Sequence, residues 1–109
     1  MSQYVLVESK NPLDGGEYAF ELGRQLRTLD HDVTIYLVQD AVLAGRRRFE
    51  AGEKLVAQAR EDRLDLLADE VSLRQRGITG ERLSDAVRVS NMDELVEILM
   101  ETSDKAIWH

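Results

Sequence analysis

"YVLVESKNPLDGGEYAFELGRQL", residues 4–26, decides the fold class. Residues 4–7 form a short apolar run, rich in β-branched side chains, that does not alternate with polar ones; this is the pattern of a strand covered on both faces. Asn11 to Gly16 is a cluster of turn residues. Tyr18, Leu22, Leu26 and Leu29 then recur at helical spacing and predict an amphipathic helix over 17–29. A buried strand, a turn-rich loop and an amphipathic helix make the first half of a β-α-β crossover.

The same rhythm continues outward from that unit. "VTIYLV" (33–38) reads as a second strand. "QDAVLAGRRRF" (39–49) is a long connection with a short helical turn, and Gly52, Leu55, Val56 and Ala59 mark a second helix by their i, i+3, i+4, i+7 spacing. "RLDLLA" (63–68) is a third strand. The polar stretch after it, "ADEVSLRQRGIT" (68–79), shows neither a helix nor a hairpin pattern. "ERLSDA" (81–86) predicts a single helical turn and "VRV" (87–89) a fourth strand. "SNMDELVEILMET" (90–102) places Asn91 three residues before Glu94, a capping-box-like start, with Met92, Leu95, Val96 and Leu99 as its apolar face. "KAIWH" (105–109) closes the chain as a final short strand. Strands alternating with helices imply parallel crossovers. The expected fold is α/β: one domain over 1–109, three-layered, with a mostly parallel five-stranded sheet and helices on both faces, flavodoxin- or Rossmann-like. No repeat, linker or low-complexity tract divides it.

Composition narrows the function classes. Hydrophobic residues make up 43% and charged residues 32% of the 109-residue chain, a globular balance. The net charge of −7 disfavours binding to phosphate backbones, with Arg46 to Arg48 as a local exception, either a solvated patch or a contact for an acidic partner. No apolar run approaches the roughly 18 residues that span a membrane. "MSQYVLVES" lacks the basic segment of a secretory signal, so the cytoplasm is the expected location. The chain has no cysteine and only His31 and His109, which leaves no disulfide, no thiolate nucleophile and no basis for a structural zinc site; no cofactor or metal is expected. Gly15 and Gly16 match neither phosphate-loop pattern and are read as helix-entry geometry. His31, in "LDHDV", is expected to be solvated, and Trp108 to be core or subunit interface.

In open parallel sheets, ligands bind beyond the carboxyl ends of the strands. That rule selects Ser9 to Asn11, Gln39 and Asp40, residues 69–77, and Ser90 with Asn91. Lys10, Asn11, Gln39, Asp40, Ser72, Arg74 and Arg76 are the candidate ligand-binding residues, a donor-rich edge suited to a carboxylate, sulfate or phosphate. Arg74 and Arg76 can instead pair with Asp69, Glu70 or a neighbouring subunit, the commoner outcome in so acidic a chain. Gln39 and Asp40 can cap the following turn. Ser72 is a nucleophile only beside a base; no His or Lys lies close in sequence, which favours a capping role. No catalytic residue is assigned. A phosphoacceptor receiver domain needs an acidic pair after the first strand, where this chain has "ESKN".

Four segments resemble the DsrE/DsrF-like sulfur-relay family: residues 4–26, "VTIYLVQDAVLAG" (33–45), "LADEVSLRQRGI" (67–78) and "MDELVEILMETSDKAIW" (92–108). The resemblance implies a small α/β domain that assembles into homo- or hetero-oligomers. Several members carry sulfur as a persulfide on a cysteine in the loop after the third strand; here Ser72 stands at or next to that position. A serine hydroxyl cannot form a persulfide. The expected function is therefore a non-catalytic binding or assembly protein linked to sulfur metabolism, working as a dimer, trimer or hexamer. The alternatives are a subunit of a sulfurtransferase complex acting with a cysteine-bearing DsrE/F/H-type paralogue, and a small anion- or nucleotide-binding sensor.

Overall fold

The computed structural model describes residues 2–109. Five strands, β1 (Gln3–Glu8), β2 (Asp32–Leu37), β3 (Asp65–Asp69), β4 (Arg88–Ser90) and β5 (Lys105–Trp108), form one sheet in the order β4-β3-β2-β1-β5. Every neighbouring pair is parallel. The chain steps from β1 to β4 in one direction, then returns past β1 to the opposite edge. The order therefore reverses at β1, which makes the carboxyl end of β1 the topological switch point.

Helices α1 (Tyr18–Thr28), α2 (Glu50–Glu61) and α3 (Glu70–Gln75) cover one face of the sheet, and α4 (Met92–Glu97), extended by a π-turn at Ile98–Thr102, covers the other. The strand alternation explains the split. Leu6, Ile35, Leu37 and Leu66 point into the larger core with Phe20, Val56 and Ala59, while Val5, Val7, Tyr36 and Leu67 pack against Leu95. Central β2 is the most buried: Ile35, Tyr36 and Leu37 are fully inaccessible. Each such large apolar side chain contributes about 1.5–3 kcal/mol by burial.

Several local expectations change. Residues 70–75 form helix α3, because Asp69 caps it and only Ser72 and Leu73 need burial; a single turn and a half carries too little apolar stripe to be read from periodicity. The turn expected at 81–86 is a 3₁₀ segment at Gly80–Arg82. β3 begins at Asp65 because Arg63, at φ 60, and Leu64 still close the end of α2. His31 is half-buried: its Nδ1 accepts from the Ser2 N–H at 3.1 Å, and its ring lies 5.0 Å from that of Tyr4. On α4, Leu95 faces the sheet, but Met92, Val96 and Met100 form an outward stripe, and Trp108 is 62% exposed.

Candidate functional site

The exit of β1 is built around Glu8, whose side chain has no solvent exposure. Its carboxylate accepts from the backbone N–H groups of Ser9 (3.1 Å), Lys10 (3.2 Å) and Ala19 (3.2 Å), the last in the first turn of α1. Its fourth partner is His109, whose Nδ1 lies 2.9 Å from both carboxylate oxygens. Residue 109 reaches Glu8 because β5 pairs with β1: the His109 N–H donates to the Val7 carbonyl at 2.8 Å, and a main-chain oxygen of His109 accepts from the Ser9 hydroxyl at 2.8 Å. The Tyr18 ring stacks on the imidazole at 4.3 Å, and Gly15 packs beside it. The carboxylate already accepts three N–H donors, so His109 presents Nδ1–H to it and turns Nε2 away from Glu8. The side chain of His109 is 27% exposed, so this carboxylate-oriented imidazole borders the surface at the switch point.

The exits of β2 and β3 form a second cluster. Asp69, nearly inaccessible, caps α3: its Oδ2 accepts from the Ser72 N–H at 3.0 Å and the Ser72 hydroxyl at 2.9 Å. Ser72 Oγ accepts in turn from the Gln39 N–H at 2.9 Å, and Gln39 sits at φ 52 to make that contact. Arg76 forks its Nε and Nη2 onto Asp40 Oδ1, at 3.2 and 2.9 Å, and its Nη1 donates to the Ser72 carbonyl. The cluster thus stitches β2 to β3 through paired groups. Asp69 Oδ1 is buried without a hydrogen-bond partner among the described residues.

A third group lies under α4. Tyr36 OH donates to the Asn91 carbonyl at 2.9 Å, and the Asn91 side chain accepts from the Glu94 N–H at 2.8 Å, forming the expected cap. Glu94 does not complete a capping box; it receives both Nη groups of Arg88 at 3.1 and 2.9 Å and the Ser90 hydroxyl. Burial, with the nearby charges of Asp69, Glu94 and Glu70, raises the Tyr36 phenol above its usual value. The Arg88 and Ser90 hydrogen bonds hold the Glu94 carboxyl below the usual carboxylate range.

A depressed folded-state value stabilises the fold above the unfolded value of about 4.3 and loses that contribution as pH falls through the folded value. Glu94→Gln is expected to cost no more than about 1 kcal/mol near neutrality, because solvent screens the exposed part of the pair. The difference from wild type should vanish in acid. Urea titrations at successive pH values below about 7 check this; a variant deficit that does not shrink as the pH falls contradicts it.

Of the residues selected from sequence, Gln39, Asp40, Ser72 and Arg76 meet in the second cluster. Lys10 and Asn11 stand instead at the exit of β1, the strand next to β2, and make no hydrogen bond to the second cluster among the described residues. There Asn11 closes its own turn by accepting from the Leu13 and Gly16 N–H groups. Arg74 is exposed on α3 and makes no ion pair among the described residues. Sequence reasoning passed over Glu8, His109 and Tyr36, and took Asp69 only as a strand-exit residue and a partner for the arginines. Asp69 carried a signal, an acid three residues before Ser72. Glu8 and His109 become neighbours only once β5 is known to pair with β1. Among the described residues no three His, Asp or Glu side chains converge as a metal site requires, and no helix is long and apolar enough to cross a membrane.

Comparison with known proteins agrees with this architecture. No curated protein matches the chain. Solved structures do: the ychN protein from E. coli superimposes with a TM-score of 0.88 at 21% identity, each chain covered in full. MTH1491 from Methanobacterium thermoautotrophicum, a protein of unknown function, gives a TM-score of 0.68 at 20% identity, again over the whole of both chains. BT1422 from Bacteroides thetaiotaomicron gives 0.70 at 12% identity, over 99% of this chain and 95% of that one. At these identities the likeness shows the fold alone. A sequence model of the DsrE/DsrF-like family matches residues 3–108, nearly the whole chain, and the chain belongs to the DsrE/DsrF-like family.

Proposed function

We propose that the chain is a binding and assembly member of its family, working as a homo-oligomer in the cytoplasm without sulfur-transfer chemistry of its own. The observation that carries this reading is the state of Ser72. Its hydroxyl donates to Asp69 and accepts from the Gln39 N–H, and the residue is buried, so the group is committed in both directions to holding α3 on the sheet. With no cysteine anywhere in the chain, the loop after β3 is a structural joint rather than a sulfur carrier.

Assembly is supported by the outward apolar stripe. Met92, Val96 and Met100 recur every fourth residue at 47, 57 and 79% exposure, with Trp108 exposed on the same side of the sheet. Scattered apolar residues on a surface need no explanation, but a helical stripe beside an exposed tryptophan suits a subunit contact. The sensor reading, with an anion at Lys10, Asn11, Arg74 and Arg76, has less support because the fork of Arg76 is already on Asp40.

Native mass spectrometry before and after treatment with a persulfide donor tests the proposal. The expected spectrum shows more than one chain per particle and no gain of a sulfur atom. A monomer at every concentration overturns assembly. A covalent sulfur increment overturns the chemistry. A second, cysteine-bearing chain retained from the cell would replace this reading with that of a sulfurtransferase subunit.

A further inference from the structure

A cationic groove lies where the segment leading into α2 meets the segment that follows α3. Arg46, Arg47, Arg48, Phe49, Glu81 and Arg82 line this groove of about 540 Å³. Its walls carry four arginines and one glutamate, with Asp85 and Glu53 beside them, in a chain whose net charge is −7.

The convergence is built by the backbone. Arg46 pairs with Leu83 in an isolated antiparallel bridge, the Arg47 N–H donates to the Arg82 carbonyl at 2.8 Å, and the Ser84 N–H donates to the Gly45 carbonyl at 2.8 Å. Arg47 Nε adds a bond to the Leu83 carbonyl at 3.0 Å. Arg48 is held at φ 68, outside the usual range for a side chain of its kind, with its N–H on Glu53. Two segments more than thirty residues apart are thereby clamped so that their arginines stand together.

Their partners are few. Arg47 pairs with Asp85 at 2.8 Å, and Arg82 donates to the Gly77 carbonyl. The guanidiniums of Arg46 and Arg48 make no ion pair or hydrogen bond among the described residues, although the chain has 21 acids. Guanidinium forks match phosphate oxygens two at a time, and several together suit a multiply charged phosphate better than a lone carboxylate. Arg46 and Arg47 also form one wall of an adjoining cleft of about 390 Å³, whose other walls include the small side chains of Ala44, Val56, Ala57 and Ala86 as well as Glu53, Arg60 and Glu61. These small apolar side chains leave room for a flat organic body beside the charged groove.

We propose that the arginine groove binds a diphosphate group, either free or carried on an ester whose organic part occupies the adjoining cleft.

Isothermal titration calorimetry of the whole protein with inorganic pyrophosphate and with ADP tests this. The test variant is Arg46→Ala combined with Arg48→Asn, because both side chains are unpaired and asparagine tolerates positive φ. Circular dichroism melting checks that it folds as the wild type does. Pyrophosphate affinity is expected to fall about tenfold for each guanidinium removed. Arg24→Ala, on α1 and outside the groove, is expected to leave the affinity unchanged. ADP binding more tightly than pyrophosphate, with the advantage removed by Ala57→Trp, identifies an ester ligand; equal affinities identify the diphosphate group alone. No binding at millimolar pyrophosphate overturns the proposal. So does an equal loss in the Arg24 variant, which would show a response to overall charge.

Discussion

Replacing Glu8 by alanine is expected to lower the unfolding free energy by about 3–5 kcal/mol. The N–H groups of Lys10 and Ala19 lose the acceptor side chain they share, the first where the chain leaves β1 and the second in the first turn of α1. A cavity opens under α1 at the same time. His109 loses the group that orients its ring. The reciprocal change should be milder: His109→Ala is expected to cost about 1–2 kcal/mol, because the carboxylate keeps its three backbone donors. Urea unfolding of the two variants side by side decides the matter. Near-wild-type stability for Glu8→Ala would mean that the carboxylate is not the anchor of this corner. Equal losses would move that role to the imidazole.

The second large effect is expected at Gly16. A Cβ built there lies 2.2 Å from the Lys10 carbonyl oxygen and 2.6 Å from that of Asn11. Both obstacles are backbone and cannot rotate away, and the Gly16 N–H is itself bonded to the Asn11 carbonyl at 2.8 Å. Gly16→Ala must push the loop 10–16 off the start of α1, at about 3 kcal/mol or more. Gly80→Ala is the control. It meets nothing within 4 Å and carries only the strain of φ +55, so its cost should be about 1 kcal/mol. Thermal melts of both variants test the ranking, and a Gly80 variant less stable than the Gly16 variant would refute the steric account.

The fold was legible because its signals are local and repeated. Apolar runs such as Tyr4 to Val7 and Val33 to Val38 and the helical spacing of Tyr18, Leu22 and Leu26 each report burial within a few residues of chain. Helix α3 was not legible, because two buried side chains give no period and its stability comes from the Asp69 cap and from contacts with the segment after β2. The stripe of Met92 and Val96 shows the converse failure. It has the spacing of a core face, yet the sheet takes only Leu95 and its neighbours, and spacing does not say which of two apolar stripes turns inward. The exits of β2 and β3 could be placed from topology. The pairing of Glu8 with His109 could not, because it depends on which edge of the sheet the last strand joins.

That placement of β5 has a consequence for how the chain acquires its structure. Strands β1 to β4 can add to one another in the order in which they are synthesised, each pairing with the strand made just before it. The other edge of β1 stays bare until residues 105–108 arrive from the far end of the chain. Until then Glu8 has its backbone donors but no imidazole, and the outer edge of β1 presents open hydrogen-bonding groups to any passing strand. Closing so long a loop is the kind of step that slows folding. A nascent chain stalled just before β5 would therefore expose an adhesive edge, making this interval the one in which the protein most needs protection from its own copies.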